Sequence, residues 1–112
     1  MLLGLRVPTH VWQNNAIDFA TMISFAKKAE QHYFHSLWVM DHLLAARPAQ
    51  DYSFLDPLVC VANMAAVTTR IRVGTSVIIL PLRNPALLAK EIATYQEERS
   101  RLGPGKGHGI EV

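Results

Sequence analysis

A chain of 112 residues, half of them apolar and 18% charged, has enough hydrophobic surface for one modest packed domain and is poorly suited to disorder. The net charge is only +2, and the basic residues sit beside acids, as in Lys27-Lys28 near Glu30 and Arg99 and Arg101 after Glu97-Glu98, so no basic cluster marks a nucleic-acid surface. The single cysteine, Cys60, excludes an internal disulfide, and its setting in LVCVANM describes a small buried hydrophobe.

In chain order, LLGLRV at 2–7 predicts a first strand ended by Pro8. Its leading MLLGLRVP is too short for a secretory apolar region and lacks a basic segment before it. Asn14 or Asn15 can cap the helix that follows, and Asp18 suits its positive end. Phe19, Met22, Ile23, Ala26 and Ala29 then recur at helical spacing, with Lys27, Lys28, Glu30 and Gln31 on the wet side, to about His32. SLWVM at 36–40 is a short apolar run without alternation, the pattern of a parallel strand covered on both faces. A polar loop with Pro48, Gln50, Asp51 and Ser53 leads to Asp56-Pro57, a cap followed by a proline at the first helical position. LVCVANMAAVTT is the second helix.

IRVGTSVII predicts a third strand, interrupted at Gly74 and Thr75-Ser76. Its apolar continuation VIILPL is far below membrane-spanning length, so no membrane partner is expected and a cytoplasmic protein is the default. Asn84-Pro85 repeats the cap-and-proline signal ahead of ALLAKEIATYQEE. The segment 100–112, rich in glycine, reads either as a degenerate fourth strand or as a tail. The order β-α-β-α-β-α predicts right-handed crossovers and a parallel sheet. Its three units fall short of a closed (β/α)8 barrel, which takes roughly 250 residues.

In parallel α/β proteins, ligands meet the carboxyl ends of the strands. Asp41-His42 follows the second strand, and Thr75-Ser76 lies near the end of the third. An imidazole exchanges a proton near neutral pH, so His42 is an acid-base candidate that Asp41 can orient. On spacing alone the pair equally serves loop geometry. Ser76-Val77 either offers backbone amides and a hydroxyl to a planar ligand or closes the strand. Asp56 is a helix cap, and Arg83 is either an anion contact at the third helix or a surface arginine. His10, His32, His35 and His108 make no metal pattern, and GPGKGHG lacks the Ser or Thr of a phosphate-cradling loop.

Four pieces in family order, LLGLRVPTH, AKKAEQHYFHSLWVMDHLL, DPLVCVANMAAVTTRIRVGTSVIILPLRNPALLAKEIAT and more weakly RLGPGKGHG, resemble the amino-terminal part of the bacterial luciferase-like oxidoreductases, in particular the F420-dependent branch. The resemblance implies an α/β chain forming the first three β/α units of a (β/α)8 TIM barrel, with residues 1–112 as the amino-terminal part of a domain of roughly 300 residues that is often a homodimer. It implies coenzyme F420, with FMN as the alternative, bound in the barrel mouth beside Asp41 and His42. It also implies a small-molecule substrate toward which His42 acts as base, and a non-prolyl cis peptide beneath the ring at Ser76-Val77. The function so implied is hydride transfer or monooxygenation in the full-length parent. The alternative is a non-catalytic truncated fragment that is unstable or only associates with other barrel segments. Two stretches depart from the family pattern. YFHS places Tyr33 where a helix-ending glycine is usual and His35 where an acid is usual. TYQEERSRLGPGKGHGIEV replaces the usual glycine-rich turn and apolar fourth strand, with Pro104 poorly suited to a central strand.

Overall fold

The structure, a computed structural model, describes residues 1–11, 18–43, 53–101 and 110–111. In chain order these form β1 (Gly4–Arg6), β2 (His10–Val11), α1 (Phe19–Gln31), β3 (Ser36–Val39), β4 (Ser53–Phe54), α2 (Pro57–Val67), β5 (Arg72–Thr75), α3 (Pro85–Arg101) and β6 (Ile110–Glu111). A short 3-10 turn, Leu80–Leu82, precedes α3.

β1, β3, β5 and β6 form one sheet in that order, with parallel pairing throughout. The α/β architecture with parallel crossovers agrees with the expected partial barrel. The register aligns Gly4 with Ser36 and Arg72, Leu5 with Leu37 and Val73, and Arg6 with Trp38 and Gly74. Gly74 therefore lies within the ladder and does not interrupt it, whereas the regular strand stops after Thr75, at the expected Thr75-Ser76 break. β6 contributes two residues, Ile110 and Glu111, opposite Val73 and Gly74. Within the polar loop after β3, Ser53–Phe54 pairs antiparallel with His10–Val11, a two-residue ribbon too short to leave a period in the sequence.

Side chains alternate across the sheet. Leu5, Leu37, Val39 and Val73 join Met22, Ala26 and Ala29 of α1 and Cys60, Val61 and Met64 of α2 in one apolar core. The other face carries Ser36, Trp38, Arg6 and Arg72. There the Trp38 indole Nε1–H donates to the Ser36 hydroxyl at 2.9 Å. Gly4 makes room for this pair: a Cβ at that position meets Ser36 Oγ at 2.6 Å and Trp38 Nε1 at 2.9 Å.

Each helix has a side-chain cap. Asp18 accepts from the Thr21 amide at 2.7 Å, which holds its carboxyl below the usual range and makes Asp18 the cap of α1; Asn14 and Asn15 lie outside the described residues. Asp56 accepts from the amides of Leu58 and Val59, and Asn84 from those of Ala86 and Leu87. Both prolines follow their caps directly, where the missing N–H costs nothing.

The exit of α1 shows what Tyr33 does in place of glycine. Its φ is 61°, the Phe34 amide reaches Ala29 O at 3.1 Å, and its own amide reaches Glu30 O at 3.1 Å. That is the left-handed double hydrogen bond that ends many helices. A non-glycine residue there costs about 1 kcal/mol, and the Arg70 guanidinium over the Tyr33 ring, 4.9 Å from its centroid, offsets part of it. Glu30 departs most from its expected place on the wet side. Its Oε1 accepts the amides of Thr69, Arg70 and Ile71 at 2.9, 2.6 and 3.0 Å. The Arg70 side chain in turn donates to the Glu30 carbonyl. Partial burial raises the Glu30 carboxyl's pKa, but the amides of Ile71, Arg70 and Thr69 and the Arg70 charge outweigh it and leave the group below the usual carboxylate range.

Candidate functional site

β3 and β5 end on the same side of the sheet, and the chain beyond them carries all four sequence-predicted site residues. The Ser76 amide donates to the Val39 carbonyl at 2.8 Å, extending the β3–β5 ladder by one bond. That amide is therefore spent within the protein, which removes one of the two donors expected to face a ligand. The Ser76–Val77 peptide is cis, as the resemblance implies. Ser76 is exposed, and the Val77 side chain projects outward at 69% exposure.

Asp41 is buried, at 8% exposure, whereas His42 next to it is exposed. The His42 imidazole lies against the Phe54 ring of β4, with centroids 4.8 Å apart and planes tilted by 48°. The β2–β4 ribbon thus supplies one flank of the histidine. Asp41 turns away from solvent to bind the segment after β5. Its Oδ2 accepts the Ile79 amide at 2.9 Å and the Arg83 Nε–H at 3.2 Å, with a second guanidinium nitrogen at 3.1 Å. The same guanidinium reaches Asp56 Oδ2 at 3.1 Å. Arg83 is therefore neither the anion contact nor the free surface arginine that its place before α3 suggested. Burial lowers its pKa, but bonds and charge from Asp56 and Asp41 raise it further, so the guanidinium is fixed as a cation.

The Asp41–Ile79 bond joins the two strand ends into one rim. Asp41 precedes His42 directly, and Ile79 is two residues beyond Val77, so a single carboxylate connects both candidate ligand-facing points. Sequence reasoning nominated Asp41, His42, Ser76 and Val77 and missed the contacts of Arg83, because a contact spanning 42 residues leaves no local pattern. Thr75 Oγ1 is buried and, among the described residues, without a hydrogen-bond partner. Thr75 pairs in register with Val39 of the helix-facing row, so this hydroxyl belongs to the core side of the strand.

Val77 offers an exposed branched aliphatic side chain and His42 an exposed imidazole, groups suited to apolar contact and to proton exchange with a flat heteroaromatic ligand. In their chemistry these two side chains are compatible with a flavin-like ring. No helix among the described residues is long and apolar enough to cross a membrane.

The family model described as luciferase-like monooxygenase matches residues 1–108. An uncharacterized protein of Sinorhizobium fredii is 34% identical over 100 residues, covering 86% of this chain and 27% of the relative. The F420-dependent glucose-6-phosphate dehydrogenase of Kineococcus radiotolerans is 34% identical over 93 residues, covering 80% of this chain and 27% of the enzyme. An uncharacterized protein of Mycobacterium tuberculosis is 34% identical over 105 residues, covering 80% of this chain and 37% of the relative. The chain therefore spans between about a quarter and somewhat over a third of the length of the curated relatives it matches. It belongs to the luciferase-like monooxygenase family.

Proposed function

We propose that this chain carries the cofactor-side rim of an oxidoreductase that uses coenzyme F420, or alternatively FMN, to act on a small organic substrate. The observation that carries the reading is the Asp41–Ile79 bond, which brings His42 and Ser76-Val77 to one rim at the carboxyl ends of adjacent parallel strands. F420 is favoured because relatives of 34% and 32% identity are F420-dependent glucose-6-phosphate dehydrogenases.

When bound, the cofactor supplies the electron chemistry, and the protein supplies position and proton traffic. Val77 would give an apolar contact to the bound cofactor, and the exposed Ser76 would offer its hydroxyl. Asp41, buried with Oδ2 committed to Ile79 and Arg83, would help to hold the cofactor by fixing the rim on which it rests. His42, exposed and flanked by Phe54, takes or returns the substrate proton at its imidazole nitrogen. Both dehydrogenation and monooxygenation can use such a rim, and the choice between them lies in how the substrate is presented.

The direct test is titration of the chain with F420 and, separately, with FMN, followed by the cofactor's own absorbance and fluorescence. Saturable change with F420, and weaker change with FMN, is the expected result. No saturable change with either refutes the reading.

A second reading has an observation of its own. Among the described residues, the outer edge of β1 pairs with no further strand, and Leu80 and Leu82 are exposed at 60% and 58%. Under that reading the chain is non-catalytic and acts by associating with other barrel segments. Concentration-dependent assembly in sedimentation, together with no cofactor response, supports it.

A further inference from the structure

We propose that Arg83 is the positioning residue of this rim: it anchors Asp41 against the segment after β5 and thereby fixes where Val77 stands relative to His42. The consequence for ligand binding rests on the oxidoreductase reading above, whereas the contact itself does not.

Three elements meet at the guanidinium. Asp41 lies two residues after β3, Asp56 opens α2, and Arg83 itself lies between the 3-10 turn and the Asn84 cap of α3. The two carboxylates are not equivalent partners. Asp56 has a side chain 47% exposed, so its bond to Arg83 is in competition with water. The Asp41 side chain is only 9% exposed, and its Oδ2 serves Ile79 and Arg83 together. Without the guanidinium, a nearly buried carboxylate keeps one amide donor among the described residues and gains most by turning outward, which releases Ile79. Ile79 is two residues from Val77, so the ligand-facing side chain moves with it. Arginine is required by shape as well as charge. Its planar fork presents separate donors to two carboxylates, whereas a lysine ammonium is one point charge on a flexible stem.

Asp56 divides its oxygens in a way that supports this division of labour. Oδ1 caps the amides of Leu58 and Val59, and Oδ2 is left for Arg83. The cap thus survives loss of Arg83, and α2 keeps its start.

The test uses Arg83→Met, Asp41→Ala, the double variant, and Asn84→Ala as a control that loosens the start of α3 without touching Asp41. Two quantities are read: the dissociation constant for F420 and the hydrogen-exchange rate of the Ile79 amide. Arg83→Met is expected to weaken F420 binding about tenfold and to speed Ile79 exchange by at least about tenfold. In the Asp41→Ala background it should add less than about twofold to either, because Arg83 acts through Asp41. Asn84→Ala should change the dissociation constant by less than about twofold despite a similar loss in melting temperature.

If Arg83→Met does not fold, Arg83→Lys replaces it, with an expected intermediate weakening of about threefold. Full additivity with Asp41→Ala, an Ile79 rate unchanged by the substitution, or an Ile79 amide already unprotected in the parent chain overturns the proposal. If the parent binds neither F420 nor FMN, the functional reading fails. The Ile79 rates in the single and double variants then still decide the clamp, non-additivity supporting it and additivity overturning it.

Discussion

Replacing Glu30 removes an acceptor that three consecutive amides share. Of these, only Ile71 belongs to a fully buried residue, at 0% exposure, while Thr69 and Arg70 are exposed and can turn to water. A hydrogen bond to a charged group contributes about 1.5–3 kcal/mol when shielded, and exposed ones contribute a fraction of that. Glu30→Ala is therefore expected to cost about 2 kcal/mol, and Glu30→Gln, which keeps a neutral acceptor, about 1 kcal/mol. The pH dependence carries a definite sign. Glu30 has a lowered pKa in the folded chain, so its contribution is fully present above the unfolded carboxylate range and is lost as pH falls through the lower, folded value. Urea unfolding followed by far-ultraviolet circular dichroism at neutral pH and near pH 3 reads both quantities. Glu30→Gln should narrow its gap to the parent chain at the lower pH. A Glu30→Ala variant within about 0.5 kcal/mol of the parent at neutral pH refutes the reasoning, since that is the range of an ordinary surface substitution.

Two further outcomes follow from the packing. Gly4→Ala puts a Cβ against Ser36 Oγ and Trp38 Nε1, so it should cost about 1–2 kcal/mol in the same unfolding assay, with part of the loss recovered when Ser36→Ala removes the hydroxyl; equal stability of Gly4→Ala and parent is the adverse result. The Cys60 thiol, pushed up to about 11 by burial and the nearby Asp56 charge, should resist alkylation at pH 8 by at least about a hundredfold relative to a free thiol and become reactive in urea; rapid stoichiometric labelling of the folded chain contradicts that burial.

The parts of this fold legible in the sequence are those written locally. Asp56-Pro57 and Asn84-Pro85 announce helix starts because cap and proline must be adjacent, and the helical spacing of Met22, Ala26 and Ala29 marks the buried face of α1. Which of three capping-type residues starts α1 was not legible, since Asn and Asp cap about equally well and only the folded backbone selects Asp18. The candidate site divides along the same line. Their place at strand ends nominated Asp41, His42, Ser76 and Val77, and the resemblance added the cofactor-side role expected of them. The grip of Glu30 on Arg70 and that of Arg83 on Asp41 join residues 40 and 42 positions apart. A charged residue that seeks water and one that seeks a distant amide look alike in one dimension, so both were read as surface charge or left open.

The alternation across the sheet has a consequence for how the chain tolerates change. Along β3, Leu37 and Val39 belong to the apolar core, while Ser36 and Trp38 bond to each other on the opposite face. Neighbouring positions of one short strand thus answer to different constraints, and a substitution scan across them should rise and fall with a period of two. The odd positions are bound to the volumes of α1 and α2 and can vary only together with them. The even positions are free of that obligation, so the strand can be rewritten on one side for a new neighbour while the helices continue to read the other side unchanged.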